Sequence, residues 1–263
     1  MKKITFIFDL DGTLIDPAKY EVPNSAMKAL RELHALGHRC CIATGRSYDS
    51  VMQTMVKDII PWDGFICSNG QHVLNQFGQT IDKYVMDTQR IHQAVALAKS
   101  FDMNIQFQGN PSFMLKEIDD VVIKAHSFFH EPIPTLIKEY ENEPLDMLMI
   151  YHEDVEKLLS FRNIPGLEVY CGRSTYADVV DMGQSKFRGI RVYFEKIGEP
   201  IEYVAFGDSD NDMDMIANAK IGVAMGNATQ ELKEISHIIT PSVDQDGIAW
   251  GISEVLQQIK AFG

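Results

Sequence analysis

Ile4-Thr5-Phe6-Ile7-Phe8-Asp9-Leu10-Asp11-Gly12-Thr13 carries an apolar run that stops on two carboxylates one residue apart. A short apolar run of this kind reads as a buried strand. Carboxylates are a costly way to end one, because a buried pair repels itself and must take up a proton or a cation. Mg²⁺ is the simplest such cation: it prefers hard oxygen ligands and keeps waters that a phosphate can replace. The pair therefore suggests a metal-assisted phosphoryl site. The same DxDG string also occurs in turns, so the rest of the chain has to decide.

The 263 residues suit one large domain or two modest ones, and a 45% hydrophobic content supports a real core. A net charge of −13 repels nucleic acid and anionic membrane surfaces, so an anionic substrate needs local positive charge or a metal. No apolar run is long enough to span a bilayer. Met1-Lys2-Lys3 resembles the start of a signal peptide, but the run behind it breaks at Asp9. Cys40, Cys41, Cys67 and Cys171 show neither CxxC pairing nor metal spacing and read as reduced, mostly buried thiols of a cytoplasmic protein.

Working outward, strand 1 is expected over 3–9 and a helix over 24–36, with Gly37 capping its C-terminus. A strand over 39–43 leads to the turn Thr44-Gly45-Arg46-Ser47, where Ser47 can N-cap a helix carrying Val51, Met52 and Met55. A third strand over 64–67 ends in Ser68-Asn69-Gly70. Strand–helix alternation predicts parallel βαβ units. The pattern then changes: a hairpin over 73–81, a helix over 88–101, extended pieces over 104–107 and 112–116, a strand over 145–151, a helix over 154–161, and paired strands over 167–171 and 175–182. The first pattern resumes with a helix over 185–197 stopped by Gly198 and a strand over 203–206, and the stretches 220–225 and 237–240 with a helix over 248–260 complete the chain. The expected fold is α/β, a doubly wound, Rossmann-like parallel sheet formed by 1–82 and 183–263, with an α+β module inserted at 83–182. If strand 203–206 lies beside strand 1, their C-terminal ends meet at a topological switch point, where ligands bind in such sheets.

Four separated segments carry groups suited to phosphoryl transfer, which needs a nucleophile, in-line positioning and positive charge on the equatorial oxygens. Asp9 can be the nucleophile. Asp11 points to the same side if the strand continues, and could give the leaving oxygen a proton and later activate water. Thr44 and the Gly45 amide, at a helix start, can hold phosphate oxygens. Lys186 falls in the first turn of its helix, where the dipole disfavours a cation unless an anion offsets it. Asp208 and Asp212 would complete the metal environment. Taken singly, Thr44-Gly45 also reads as an ordinary cap and Lys186 as a solvated lysine. The run Asp208–Asp212 fails as a calcium loop, because its sixth and twelfth positions are Met213 and Ala219 rather than Gly and Glu. No Walker A or GxGxxG string follows a strand.

In combination, Asp9-Leu10-Asp11-Gly12-Thr13, Thr44, Lys186 and Gly207-Asp208-Ser209-Asp210-Asn211-Asp212 resemble, in order, the four motifs of the haloacid dehalogenase (HAD) superfamily phosphatases. The insert is similar to the type IIB cap of the Cof-like subfamily, as are the strings Ala43-Thr44-Gly45-Arg46 and Ser68-Asn69-Gly70. The resemblance implies Asp9 as nucleophile and Asp11 as acid and base. It implies Mg²⁺ on the side chains of Asp9 and Asp208 and the carbonyl of Asp11, oriented by Asp212. Thr44, Asn211, Lys186 and the amides of Leu10 and Gly45 would hold the phosphate. The family often has Lys-Gly at the third motif; here it is Lys186-Phe187-Arg188, which raises the question of which cation reaches the site.

The expected function is hydrolysis of small phosphorylated metabolites, sugar phosphates first, through an aspartyl-phosphate, with no nucleic-acid or membrane partner. A phosphomutase or phosphotransferase of the same superfamily, or a sugar-phosphate sensor without turnover, are the alternatives. In the family the cap closes over the phosphate. Arg173, in the turn Gly172-Arg173-Ser174, is the candidate substrate contact. His126, His130 and His152 read as surface or packed residues, and Phe128-Phe129 as cap core.

Overall fold

The structure, a computed structural model, describes residues 3–171 and 175–262. The chain divides into two compact units, Met1–Asp82 with Lys186–Gly263, and Lys83–Ser185.

In the first unit the strands are β1 (Thr5–Phe8), β2 (Arg39–Ala43), β3 (Gly64–Cys67), β4 (His72–Asn75), β5 (Thr80–Lys83), β11 (Tyr203–Gly207), β12 (Ile221–Ala224) and β13 (Ile238–Ile239). Among the described residues they form one sheet in the order β13-β12-β11-β1-β2-β3-β4-β5. It is parallel from β13 to β3, and β4 turns antiparallel to β3. β1 lies between β11 and β2, with Phe8 level with Phe206 and with Ile42. The strand order reverses at β1, as the doubly wound arrangement requires.

Alternation along β1 explains why helices cover both faces. Phe6 and Phe8 pack with Cys40, Ile42 and Phe206 into one core, and Ile7 packs with Cys41, Ala43 and Ala205 into another. A sheet apolar on both sides must be buried on both. Leu30 and Leu33 of α1 (Asn24–Ala35), with Ile252 and Val255 of α9 (Gly247–Phe262), close the first face. Ile190 and Phe194 of α6 (Lys186–Ile197), Met215 of α7 (Met213–Ala217) and Leu232 of α8 (Gln230–Ile235) close the second.

The second unit holds β6 (Asn104–Gly109), β7 (Phe113–Met114), β8 (Leu145–Tyr151), β9 (Leu167–Cys171) and β10 (Tyr176–Asp181) in an antiparallel sheet ordered β7-β6-β8-β10-β9. Its helices are α3 (Thr88–Ser100), α4 (Asp120–Phe129) and α5 (Val155–Leu159). Both sheets have the expected character, α/β for the split unit and α+β for the inserted one.

Three elements differ from expectation. The helix after Ser47 is only α2 (Tyr48–Val51), because the Thr54 hydroxyl donates to the Val51 carbonyl and caps a separate 3-10 turn at Met55–Asp58. Helix α4 was not read from the sequence; Asp119 N-caps it by accepting from the Val122 amide. Phe128 is exposed and packs edge-on against Phe129, so this pair is not cap core.

Candidate active site

The C-terminal edge of the parallel sheet collects the charged residues. β1 ends at Phe8, and the Asp9 amide donates to the Phe206 carbonyl at 3.0 Å. The next carbonyl, Leu10, accepts from the amides of Thr13, Leu14 and Ile15. The strand therefore does not continue through Asp11, and the premise that alternation aims Asp11 with Asp9 fails. Gly12, at φ +87°, allows the turn.

β11 ends at Gly207 and delivers Asp208. A Cβ on Gly12 would stand 2.3 Å from Asp208 Oδ2, so only glycine lets the two loops approach. The Thr13 hydroxyl donates to Asp208 Oδ1 at 3.3 Å. Asp212 closes the turn behind: its Oδ2 accepts from the amides of Asp208 (2.9 Å) and Ser209 (3.1 Å). Gly207 lacks a Cβ where one would meet the Asp212 carboxyl at 2.6 Å.

Lys186 is the first residue of α6 and is completely buried. Its Nζ donates to Asp9 Oδ1 at 2.7 Å and Asp212 Oδ1 at 2.6 Å. Two carboxylates thus balance a cation that the helix dipole disfavours. Arg188 is engaged elsewhere, with Asp82 Oδ2 at 2.5 Å and the Gly70 carbonyl at 3.3 Å, so Lys186 is the cation at the cluster. Gly189 lets α6 come this close: a Cβ there would meet Gly70 Cα at 2.8 Å.

Asp9, Asp208 and Asp212 each offer one carboxylate oxygen, all within 4.8 Å of one another, and all three residues are buried. Burial pushes the Asp9 carboxyl up to about 7, against the pull of Lys186. For Lys186, burial acts downward, but Asp212 and Asp9 outweigh it and hold the ammonium above the ordinary lysine range. Three buried carboxylates against one ammonium leave an excess of negative charge, and hard oxygen donors so grouped fit a divalent cation.

Asp11 has a different environment. Arg46 grips it with a two-pronged fork, Nε to Oδ2 at 2.7 Å and Nη2 to Oδ1 at 2.6 Å. This partner was not assigned from the sequence, where Arg46 figured only within a family string. Thr44 is buried, and its hydroxyl oxygen accepts from the Arg46 amide at 3.1 Å. Gly45 is not at a helix start: the N-cap is Ser47, and α2 spans a single turn. The dipole argument for Thr44-Gly45 therefore loses its footing.

Asn211 joins through a residue also without an assigned role. Its Nδ2 donates to Asn69 Oδ1 at 2.9 Å, and its Oδ1 accepts from Ser209 Oγ at 2.9 Å. Ser68, Asn69 and Gly70 all have positive φ, at 51°, 49° and 88°. Left-handed backbone at two successive non-glycine residues is strained. It is held by Ser68 N donating to Arg46 O and Asn69 N donating to Thr44 O. All four sequence segments therefore meet within one unit.

In the other unit, His126 Nε2 bonds the Tyr151 hydroxyl at 2.8 Å in a buried pair, and His152 Nδ1 accepts from the Asp154 amide. His130 ends α4 in a left-handed conformation. Arg173 lies outside the described residues. No described helix is long and apolar enough to cross a membrane.

Comparison with known proteins agrees with this geometry. The haloacid dehalogenase-like hydrolase family matches residues 6–252. The chain is 32% identical over 260 residues to the provisionally named phosphatase YkrA of Bacillus subtilis, covering 94% of this chain and 96% of that protein. It is 26% identical to the 5-amino-6-(5-phospho-D-ribitylamino)uracil phosphatase YitU of Bacillus subtilis, covering 96% and 97%. The solved HAD subclass IIB sugar phosphatase BT4131 superposes with a TM-score of 0.86 at 25% identity, covering 96% of this chain and 99% of the other. The chain therefore belongs to the haloacid dehalogenase-like hydrolase family, among its phosphatases.

Proposed function

We propose that the chain is a Mg²⁺-dependent phosphatase of small phosphorylated metabolites that works through an aspartyl-phosphate on Asp9. The observation that carries this is the buried Lys186 ammonium bridging Asp9 and Asp212 beside Asp208.

Asp9 and Asp208 side chains and the Asp11 carbonyl would hold the cation. When bound, Mg²⁺ supplies positive charge to the phosphoryl oxygens and offsets the desolvated carboxylates. Asp212 acts differently. With Oδ1 on Lys186 and Oδ2 on two amides, it fixes the ammonium and the Asp208 loop. Lys186, Thr44, Asn211 and the amides of Leu10 and Gly45 would hold the phosphate.

In the first step an Asp9 oxygen bonds to phosphorus as the bond to the leaving oxygen breaks, and Asp11 gives that oxygen its proton. In the second, water attacks phosphorus while Asp11 takes the water's proton. The Asp9–phosphorus bond breaks, releasing phosphate and the free carboxylate. Arg46 orients the ionised Asp11 that takes the water's proton; for the first step one Asp11 oxygen has to leave the fork to carry the proton it gives.

Sugar phosphates are the leading substrate class, on the strength of the solved relative's sugar phosphatase activity. YitU, whose name specifies a ribitylamino-uracil phosphate, widens the panel to be screened. The four cysteines are free thiols, which suits a reducing cytoplasm.

Asp9→Asn should abolish hydrolysis of p-nitrophenyl phosphate while circular dichroism shows an intact fold, and EDTA should silence the wild type. Full activity in either case refutes the mechanism.

A further inference from the structure

Asn227 lies in the loop after β12 and has no part in the chemistry above. Its Nδ2 donates to the Gly12 carbonyl at 2.7 Å and toward Asp208 Oδ2 at 3.4 Å. Its Oδ1 accepts from the Val243 amide at 2.9 Å. One primary amide therefore ties together the loops that follow β1, β11 and β13.

Backbone contacts make this bridge rigid. The Thr229 amide, two residues on, donates to the Asp208 carbonyl at 3.0 Å. Gly226 donates to the Pro241 carbonyl at 3.1 Å, and a Cβ on it would stand 2.6 Å from the Ser242 amide nitrogen. Asn227 is thus anchored from below, with its two N–H donors turned to a carbonyl on one loop and a carboxylate on the other.

A cation held jointly by the β1 loop and Asp208 needs those groups at a fixed separation. Asn227 spans it from the β12 loop, alongside the direct contact of the Thr13 hydroxyl with Asp208 Oδ1. A carboxylate oriented by a neutral donor keeps its charge for the cation, whereas a cationic partner would neutralise it. We infer that Asn227 is a positioning residue for the cation site, setting Asp208 against the Gly12 loop. This rests on the metal reading of the cluster.

The test is calorimetric titration of the full-length protein with MgCl₂, without substrate, for the wild type and Asn227→Ala. Thermal unfolding with and without Mg²⁺ accompanies it. The dissociation constant for Mg²⁺ should rise about tenfold or more in the variant, the usual consequence of losing an outer partner of a metal ligand. The Mg²⁺-dependent rise in Tm should shrink accordingly. A role confined to loop stability would instead lower Tm equally with and without Mg²⁺ and leave the dissociation constant alone.

If Asn227→Ala does not fold, Asn227→Ser, whose hydroxyl is too short to span both loops, makes the same comparison. A wild type that binds Mg²⁺, with a folded variant binding equally well, overturns the inference alone. A wild type that takes up no Mg²⁺ overturns the metal reading and this inference with it.

Discussion

Asp9 is a carboxyl group the fold buries before any cation arrives, and that sets a testable pH dependence. Burial moves its carboxyl from the ordinary 3.8 to about 7. Between those values the folded chain keeps a proton that the unfolded chain has lost. Without metal, the resulting stability is fully present below about pH 4 and is lost as pH rises through about 7. The whole effect is of the order of a few kcal/mol, and more than half of it falls between pH 5 and pH 8. Urea unfolding in EDTA at those two pH values, for the wild type and Asp9→Asn, reads it directly. The asparagine cannot titrate, so the variant should lack this part of the slope. The comparison of slopes is unaffected by any constant loss from weakening the Lys186 contact. Mg²⁺ at pH 8 should return the lost stability to the wild type, since a ligand binding only the folded state stabilises it. Equal pH slopes in the two proteins, or Mg²⁺ that stabilises both alike, would refute the reasoning.

Two further substitutions separate the parts of the site. Gly12→Ala should lose Mg²⁺ binding and hydrolysis together, because its Cβ would stand 2.3 Å from Asp208 Oδ2 at a φ of +87°; a calorimetric titration showing wild-type Mg²⁺ affinity would count against it. Arg46→Ala should lower kcat/KM by about 100-fold on an alkyl phosphate, the scale of general acid catalysis, and by much less on p-nitrophenyl phosphate, whose leaving group needs little protonation. Equal losses on both substrates would mean that Arg46 does not act through Asp11.

What could be read from the sequence was whatever repeats with strand or helix period or sits at a fixed offset from a strand end. Asp9 and Asp208 follow their strands directly, so locating β1 and β11 located both. Lys186 was legible because a cation in a helix's first turn demands an anion, and the structure supplies two. The misplaced features are those decided by contacts between distant segments. No periodicity shows that the Leu10 carbonyl will collect three amides and end β1 short of Asp11. None shows that Thr54 will break a helix in favour of a capped 3-10 turn. Arg46, Asn69 and Asn227 escaped assignment for the same reason. Each is an ordinary polar residue in a loop, and its meaning comes from a partner 35, 142 or 215 residues away.

Those late-found partners suit the two aspartates of one short loop to the different work proposed for them. Asp9 is sealed, with 7% of its side chain exposed, against a buried ammonium that is itself pinned by Asp212. A nucleophile gains from this, because a desolvated and oriented carboxylate meets phosphorus without rearrangement. Asp11 retains 15% side-chain exposure, and its partner is a guanidinium that also donates to Ser50 Oγ at 3.3 Å. A group that passes a proton to a leaving oxygen and takes one from water needs that access, together with a fixed direction. The turn that ends β1 early is what separates the two environments. Had the strand run on through Asp11, both carboxylates would face one side of it, whereas the turn gives Asp9 to Lys186 and Asp11 to Arg46.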